Sequence, residues 1–346
     1  MKQGIVYALL AAALFGASTP FAKQLVGNVP PLMLAGLLYL GSGLGLSVML
    51  VLRKLFARGE LNIAWPTQAD WGWLAGAILF GGVLGPVLLM YGLTSSTAAN
   101  ASLLLNFESV LTALIAWFVF RENFDRRIAV GMALIVAGAI ALAWAPDAGE
   151  LASGSLLVVA ACVCWAIDNN LTRKVSASDA MIVAGLKGLI AGGVSLAFAL
   201  QLGQHLPPLQ TTLAAALLGL FSYGVSLVLF VIALRLLGAA RAGAYFAVAP
   251  FFGAVLALIV VHEPVTLQLA IAGALMATGV YLHLTERHDH LHVHEVMAHE
   301  HPHWHDEHHR HRHDFPWDGT EPHAHRHAHD ALVHGHAHFP DIHHRH

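Results

Sequence analysis

Charge is what this chain of 346 residues has least of: Asp, Glu, Lys and Arg make up 11% of it, against 57% hydrophobic residues. A soluble domain carries about 25% charged residues. With a mean hydropathy of +0.63, an ordinary cytosolic enzyme is excluded. Cysteine is nearly absent. Cys162 and Cys164 stand two apart in an apolar run, roughly 200° apart on a helix, too splayed to clasp one metal or each other. No disulfide framework is implied. Signatures of hydrolytic chemistry are missing as well. No His-Glu-x-x-His, Gly-x-Ser-x-Gly or paired Asp motif falls within the apolar runs. Neither an enzyme nor a nucleic-acid partner is expected.

The scarcity is uneven. Of 25 His, 22 follow residue 284, with 11 of the 21 acids and 5 of the 18 Lys and Arg. Residues 1–284 keep 13 basic and 10 acidic side chains, too few to cover a soluble surface. The overall net charge of −3 therefore averages a membrane-embedded body of +3 and a hydrophilic tail of −6.

What is there instead is apolar runs of about 17–25 residues, the length that crosses a bilayer as a helix. Ten are expected. The first five are Ile5–Leu25, Pro31–Leu52, Trp71–Gly92, Thr97–Phe120 and Ile128–Trp144. Gly154–Lys174, Ala180–Leu202, Thr211–Leu237, Ala240–Val261 and Thr266–His283 follow. With the N-terminus inside, the inner segments hold 16 of the 18 Lys and Arg; Lys23 and Lys187 fall within spans. That asymmetry places both termini in the cytoplasm of a cell inner membrane.

The first run is expected to be a span and not a cleaved leader, because Phe15–Lys23 has a counterpart in Trp165–Arg173. Repetition continues at a constant offset of 141. Arg121-Glu122, Ala129 and Gly138 fall on His262-Glu263, Ala270 and Gly279, and Ala98-Ala99 falls on Ala239-Ala240. Each half then has five helices, and an odd number inverts the second copy in the membrane. Secondary transporters are commonly built this way. The fold expected is an all-α integral membrane protein of ten helices in two inverted five-helix repeats. Residues 1–145 and 146–284 are the repeats, and residues 285–346 are a disordered tail.

These residues resemble the EamA type of the drug/metabolite transporter superfamily. The likeness covers residues 4–284. It rests on the Phe/Trp-Gly/Ala-x(5)-Lys/Arg end of each half's first helix, the corners Phe120-Arg121-Glu122 and Val261-His262-Glu263, and Ala249-Pro250. The resemblance implies transport of a small molecule, often export of a metabolite, driven by an ion gradient or by exchange, and no enzyme activity. Three features depart from the family pattern. Lys187 has Leu38 as its counterpart, Glu108-Ser109 stands where the other half has Ala249-Pro250, and the His tail is additional.

Ionisable groups inside a span are costly and mark a pathway. Glu108 lies about 16 Å into its span and Lys187 about 11 Å, at 1.5 Å per residue. The two are expected to meet across a central cavity, holding an amino-acid-like substrate or the coupling proton. Otherwise Glu108 is a structural carboxylate and Lys187 snorkels to the interface. Trp165, Asp168, Asn169 and Thr172 share one helical face, as a substrate vestibule or a salt-bridged gate near Arg173 and Lys174. Asn106, with Ser102 and Ser109, forms another polar stripe; Tyr223 and Tyr245 are either site or packing residues. Pro86 and Pro250 lie within spans, where they free carbonyls. The pairs Gly41/Gly45, Gly81/Gly85 and Gly188/Gly192 suit close packing within the bundle and leave a homodimer open.

The tail repeats His-x-His. Its candidate metal ligands are His288, His290, His292, His294, His299, His301, His303, His305, His309, His311 and His313. His323, His325, His327, His329, His334, His336, His338, His344 and His346 complete the set. In an extended chain, residues two apart project to one side about 6.5–7 Å apart, and neutral imidazoles at that spacing suit Zn, Ni, Co or Cu. A solubilising segment and a pH-sensing segment are the competing readings. The function expected is a metabolite exporter working by alternating access, with no cofactor in the bundle and a metal-binding tail. Two alternatives stay open: transport of a transition metal or its chelate, and a metal sensor whose bundle is only an anchor.

Overall fold

A computed structural model describes residues 2–56, 64–120, 126–145, 150–175, 178–237 and 245–284. In the tail it describes 289–294, 297–303, 323–329 and 332–337. The corner Arg121-Glu122 and the pair Ala239-Ala240 lie outside these residues.

Residues 1–285 form one unit and 286–346 another. Among its described residues the regular structure of the first is helical apart from a two-residue strand pair. It runs α1 (Lys2–Gly16), α2 (Ser18–Val26), α3 (Pro31–Phe56), α4 (Trp71–Ala77), a π-helical segment Ile78–Leu84, and α5 (Gly85–Ser95). Then come α6 (Ala98–Leu104), α7 (Phe107–Phe120) and α8 (Arg126–Ala143). Strands β1 (Trp144–Ala145) and β2 (Glu150–Leu151) pair antiparallel. The remainder is α9 (Ser153–Lys174), α10 (Ala180–Gln201), α11 (Leu209–Gly219), a π segment Leu220–Val225, α12 (Ser226–Leu237), α13 (Ala249–Val260) and α14 (Leu267–Leu284).

Seven helical stretches are long and apolar enough to cross a membrane, and three more, Ala129–Ala143, Ala249–Val260 and Leu267–Leu282, are apolar but shorter. All ten fall on the runs read from the sequence. Their outward surface is apolar: Val48, Leu55, Phe198 and Ile259 are each more than half exposed, the pattern lipid demands of a spanning segment.

Besides the two expected spans that contain π segments, three more are not continuous α-helix. The first pauses at Ala17, between α1 and α2. The fourth breaks at Leu105-Asn106, where short i→i−3 bonds replace the helical ladder. The ninth breaks at Ala247-Val248 and restarts with Pro250 in the first turn of α13. Proline is tolerated there because that N–H has no helical partner anyway.

Helix pairing is built on glycine. At Gly43 and Gly188, α3 and α10 approach so closely that a Cβ on either would strike the other's backbone. In lipid, where burial gives no hydrophobic gain, such backbone approach maximises dispersion contact. All six glycines of the spaced pairs face helices of the same chain: Gly41 meets Ala216, Gly45 Leu220, Gly81 Asp168, Gly85 Trp165, Gly188 Gly43 and Gly192 Leu40. They are spent on the bundle's own packing.

One corner of the second half ties down the first. His262 takes a left-handed φ of 57° just past the end of α13. The turn aims Glu263 at the start of α6, where its carboxylate accepts from the N–H of Ala98 at 2.6 Å and of Ala99 at 2.8 Å. The Thr97 hydroxyl accepts from Asn100 N–H at 3.2 Å, so three of the four orphan donors of that helix start are satisfied.

In the tail, where disorder is expected, the described residues are four strands: β3 (Asp289–His294), β4 (Met297–His303), β5 (His323–His329) and β6 (Leu332–Ala337). β3 pairs with β6 and β4 with β5, both antiparallel. The period-two His-x-His spacing suits an extended backbone.

Candidate functional site

The site begins with a missing proton donor. Across the segment Ile78–Leu84 the ladder widens to i→i−5, and Gly85 N–H bonds the carbonyl of Phe80. Gly81 O thereby loses its usual partner, and the next donor in line would be Pro86, which has no N–H. Two side chains take up that carbonyl instead: Tyr39 O–H at 2.8 Å and Trp165 Nε1–H at 3.1 Å. Pro86 does free a carbonyl, and aromatic side chains from α3 and α9 claim it.

The absence of a side chain at Gly81 makes the second feature possible. A Cβ there would occupy the position of the Asp168 carboxylate. Asp168, on α9, forms an ion pair with Lys187 on α10 and accepts from Thr172 Oγ1 at 2.9 Å. Both charges are largely buried, at 8% and 17% side-chain exposure. Taking two ions out of water is repaid only by close pairing with further hydrogen bonds, and Thr172 supplies one.

A second polar cluster lies one residue on. Asn169 Nδ2 donates to Glu108 Oε1 at 2.8 Å and to Thr112 Oγ1 at 3.3 Å. Asn170 bonds the carbonyls of Ala166 at 2.8 Å and Thr112 at 3.4 Å, fastening α9 to α7. Glu108 stands in the first turn of α7, just past the break in the fourth span, where a helix N-terminus favours negative charge.

The direct partners are Asp168 for Lys187 and Asn169 for Glu108, while the Lys187 ammonium stays near enough to Glu108 to act on it through space. Helix α9 stands between α7 and α10. Consecutive residues on a helix point about 100° apart, so Asp168 serves Lys187 and Asn169 serves Glu108. Among the described residues the cation paired with Asp168 is Lys187. The shared face of Trp165, Asp168 and Thr172 is as read; Asn169 turns to the other neighbour.

The remaining candidates divide. Tyr223 stacks on Tyr39 with centroids 5.3 Å apart and meets the edge of Phe15 at 5.9 Å, which joins it to the Gly81 cluster. Tyr245 packs with Tyr7 and Phe230 against Ala8 and Ala233. Asn106 is buried, donates to Leu103 O at 2.9 Å and lies 3.9 Å from Met276 Sδ, so it works at the helix break. Tyr39 was not anticipated; an aromatic in an apolar run carries no signal of its own. Among the described residues no three His, Cys, Asp or Glu side chains converge as metal ligands. Of the tail histidines, His288, His305, His308, His309, His311, His313, His338, His343, His344 and His346 lie outside the described residues.

With the geometry in place, likeness to known proteins can be set beside it. The model of the EamA-like transporter family matches twice, over residues 2–144 and 152–285. An uncharacterized transporter of Methanothermobacter thermautotrophicus is 31% identical over 293 residues, covering 81% of this chain and 85% of that protein. The uncharacterized transporter YvbV of Bacillus subtilis is 27% identical over 280 residues, 78% of this chain and 87% of its own. A solved crystal structure shares the fold, with a TM-score of 0.58 at 21% identity over 82% of this chain and 96% of that one.

Proposed function

Because the chain belongs to the EamA-like transporter family, we propose that it exports a small metabolite across the inner membrane by alternating access. It is a multi-pass membrane transporter and not an enzyme. In our reading it has ten spans in two inverted repeats, residues 1–145 and 146–284, with both termini cytoplasmic. Three observations support the repeats: the family model matches each half, a π segment recurs at Ile78–Leu84 and Leu220–Val225, and a helix break recurs at 105–106 and 247–248. These irregularities recur within a residue of the 141-residue offset. Discontinuous spans at matching positions of two halves are what a transporter of this design uses to build its site.

The observation that carries the reading is the buried Asp168–Lys187 pair beside the Glu108–Asn169 cluster. Lys187 offers a cation to an anionic group of the cargo and Glu108 an anion to a cationic one, so an amino-acid-like solute fits both. Trp165, Tyr39 and Tyr223 form the adjoining aromatic wall. The test is comparative metabolomics of medium from cells that lack or overproduce the chain. A solute that accumulates outside only on overproduction, and not with the D168N/K187Q double variant, supports the reading. Identical media would overturn it.

A second proposal concerns the tail: it binds Zn, Ni, Co or Cu. Its strand pairing sets His290 opposite His336 and His292 opposite His334 in one sheet. In the other, His299, His301 and His303 stand opposite His327, His325 and His323. This register pairs histidine positions across the strands, and imidazole is a ligand type that suits these ions. Calorimetric titration of the full chain and of residues 1–284 with each ion tests this, and equal heats from both would sink it. Intracellular metal content of the same strains separates a metal-binding tail from a metal cargo.

A further inference from the structure

The two carboxylates flanking α9 are not equivalent, and the difference assigns a role within the transport reading just given. Asp168 is fully committed: one oxygen is held by Lys187 and the other by Thr172 Oγ1. Its charge is balanced. Glu108 is half-buried in mid-span, and among the described residues its carboxylate accepts from a neutral amide, Asn169, with no cation paired to it. An anion left in that position calls for a positive charge at some stage of the cycle.

The identity of that charge follows from the surrounding oxygens. A hard metal cation at a broken helix needs several free carbonyls besides a carboxylate. Here four of the five carbonyls from Ser102 to Asn106 already accept a backbone N–H, and Leu104 O has the Cys162 thiol at 3.6 Å. Ser102 O accepts from Leu105 N–H, Leu103 O from Asn106 N–H and Nδ2, Leu105 O from Glu108 N–H, and Asn106 O from Ser109 N–H and Oγ. Thr112 Oγ1 is taken by Asn169. A proton needs none of these ligands.

We propose that Glu108 is the proton-carrying group of the transport cycle, and that Asp168 is a fixed counter-ion which keeps Lys187 charged and in place. The charged and titratable groups around Glu108, which include the Tyr39 hydroxyl of α3 and the Lys187 ammonium of α10, agree with that division. On α9 they are Asp168, already neutralised by Lys187 of α10, and the Cys162 thiol, which donates to Leu104 O. The two charges of α8, Arg126 and Arg127, stand in its own first turn. Protonation releases Glu108 from its need for a charged partner while leaving the Asn169 contact available, so the same cluster can exist in a charged and a neutral state. Asp168 has no such freedom without stranding a buried ammonium.

Infrared difference spectroscopy on the purified full chain in liposomes, stepped between about pH 5 and pH 9, the range in which buried carboxyls titrate, tests this without any cargo. The expected result is a carboxylic-acid C=O band that appears on acidification. It should be lost in Glu108→Gln, shifted in Glu108→Asp, and retained in the D168N/K187Q double variant. If E108Q does not give a monodisperse protein, the E108D shift decides alone. An unchanged band in E108D, a band that survives E108Q, or one lost only in the double variant would overturn the assignment. Because no transport is measured, a titrating Glu108 with no exported solute would sink the exporter reading and leave the proton site standing.

Discussion

The body of this protein holds two π segments, and among the described residues only the first packs against charged side chains. The π segment Ile78–Leu84 lies against Trp165, Asp168 and Lys187; the π segment Leu220–Val225 lies against α1 and α3. At the positions that the proposed repeats bring into register, Phe15 stands for Trp165, Ser18 for Asp168 and Leu38 for Lys187. Downstream, Pro86 has Leu227 as its counterpart. The first copy therefore loses a backbone donor, frees the Gly81 carbonyl and gathers side chains around it. The second keeps its donors, and Ser226 Oγ bonds Ala11 O at 2.8 Å as an ordinary interhelical tie. A π segment and a helix break recur in each half, whereas the buried ion pair stands beside the first π segment.

The contrast breaks most sharply at the ion pair. Replacing Lys187 by Met alone leaves a buried carboxylate uncompensated, and the expected cost is about 3–5 kcal/mol, read as a large fall in thermal midpoint in detergent. Replacing both partners, D168N with K187M, should restore most of that loss. Next comes Gly81→Ala, whose methyl group would take the place of the Asp168 carboxylate. It should displace the pair and abolish any transport that depends on it, whereas Ser222→Ala, its counterpart in the uncharged copy, should be mild.

A smaller effect is expected at Glu263→Ala. Loss of the two hydrogen bonds to the start of α6 should cost about 1–2 kcal/mol, the scale of a helix cap. Glu263→Gln should recover part of it, since one amide oxygen still accepts; calorimetric unfolding resolves the difference. Smallest is Pro86→Leu, which makes the first copy like the second. It returns an N–H to compete for Gly81 O, and should loosen Trp165 by about 1 kcal/mol, visible as a red shift of indole emission with little change in stability.

Much of this frame was legible in the sequence because lipid is an unforgiving solvent. Apolar runs of spanning length mark the helices, and Glu108, Asp168 and Lys187 stand out because a charge in such a run is costly. Which charge meets which was not legible. Asp168 and Asn169 are neighbours in sequence, but the helix sends them to different partners, so the pairing depends on where α9 stands between α7 and α10. Pro86 announced a disturbed helix, whereas nothing announced the matching π segment at Leu220–Val225. The shared offset put Glu122 with Glu263 and Ala98-Ala99 with Ala239-Ala240, yet only the fold revealed that Glu263 caps the Ala98-Ala99 helix of the opposite half. Tyr245 reads in sequence as an aromatic in a span, and it packs in an apolar cluster with Tyr7 and Phe230.

The most direct test of a cargo site at α9 uses proteoliposomes incubated with a whole-cell metabolite extract and analysed by mass spectrometry of their trapped contents. Full-length chain, residues 1–284 and the D168N/K187Q variant are run side by side, under an imposed pH gradient. The account predicts that the full chain and residues 1–284 enrich the same solute and that the double variant enriches none. Equal enrichment by the double variant, or enrichment lost on removing the tail alone, would contradict it.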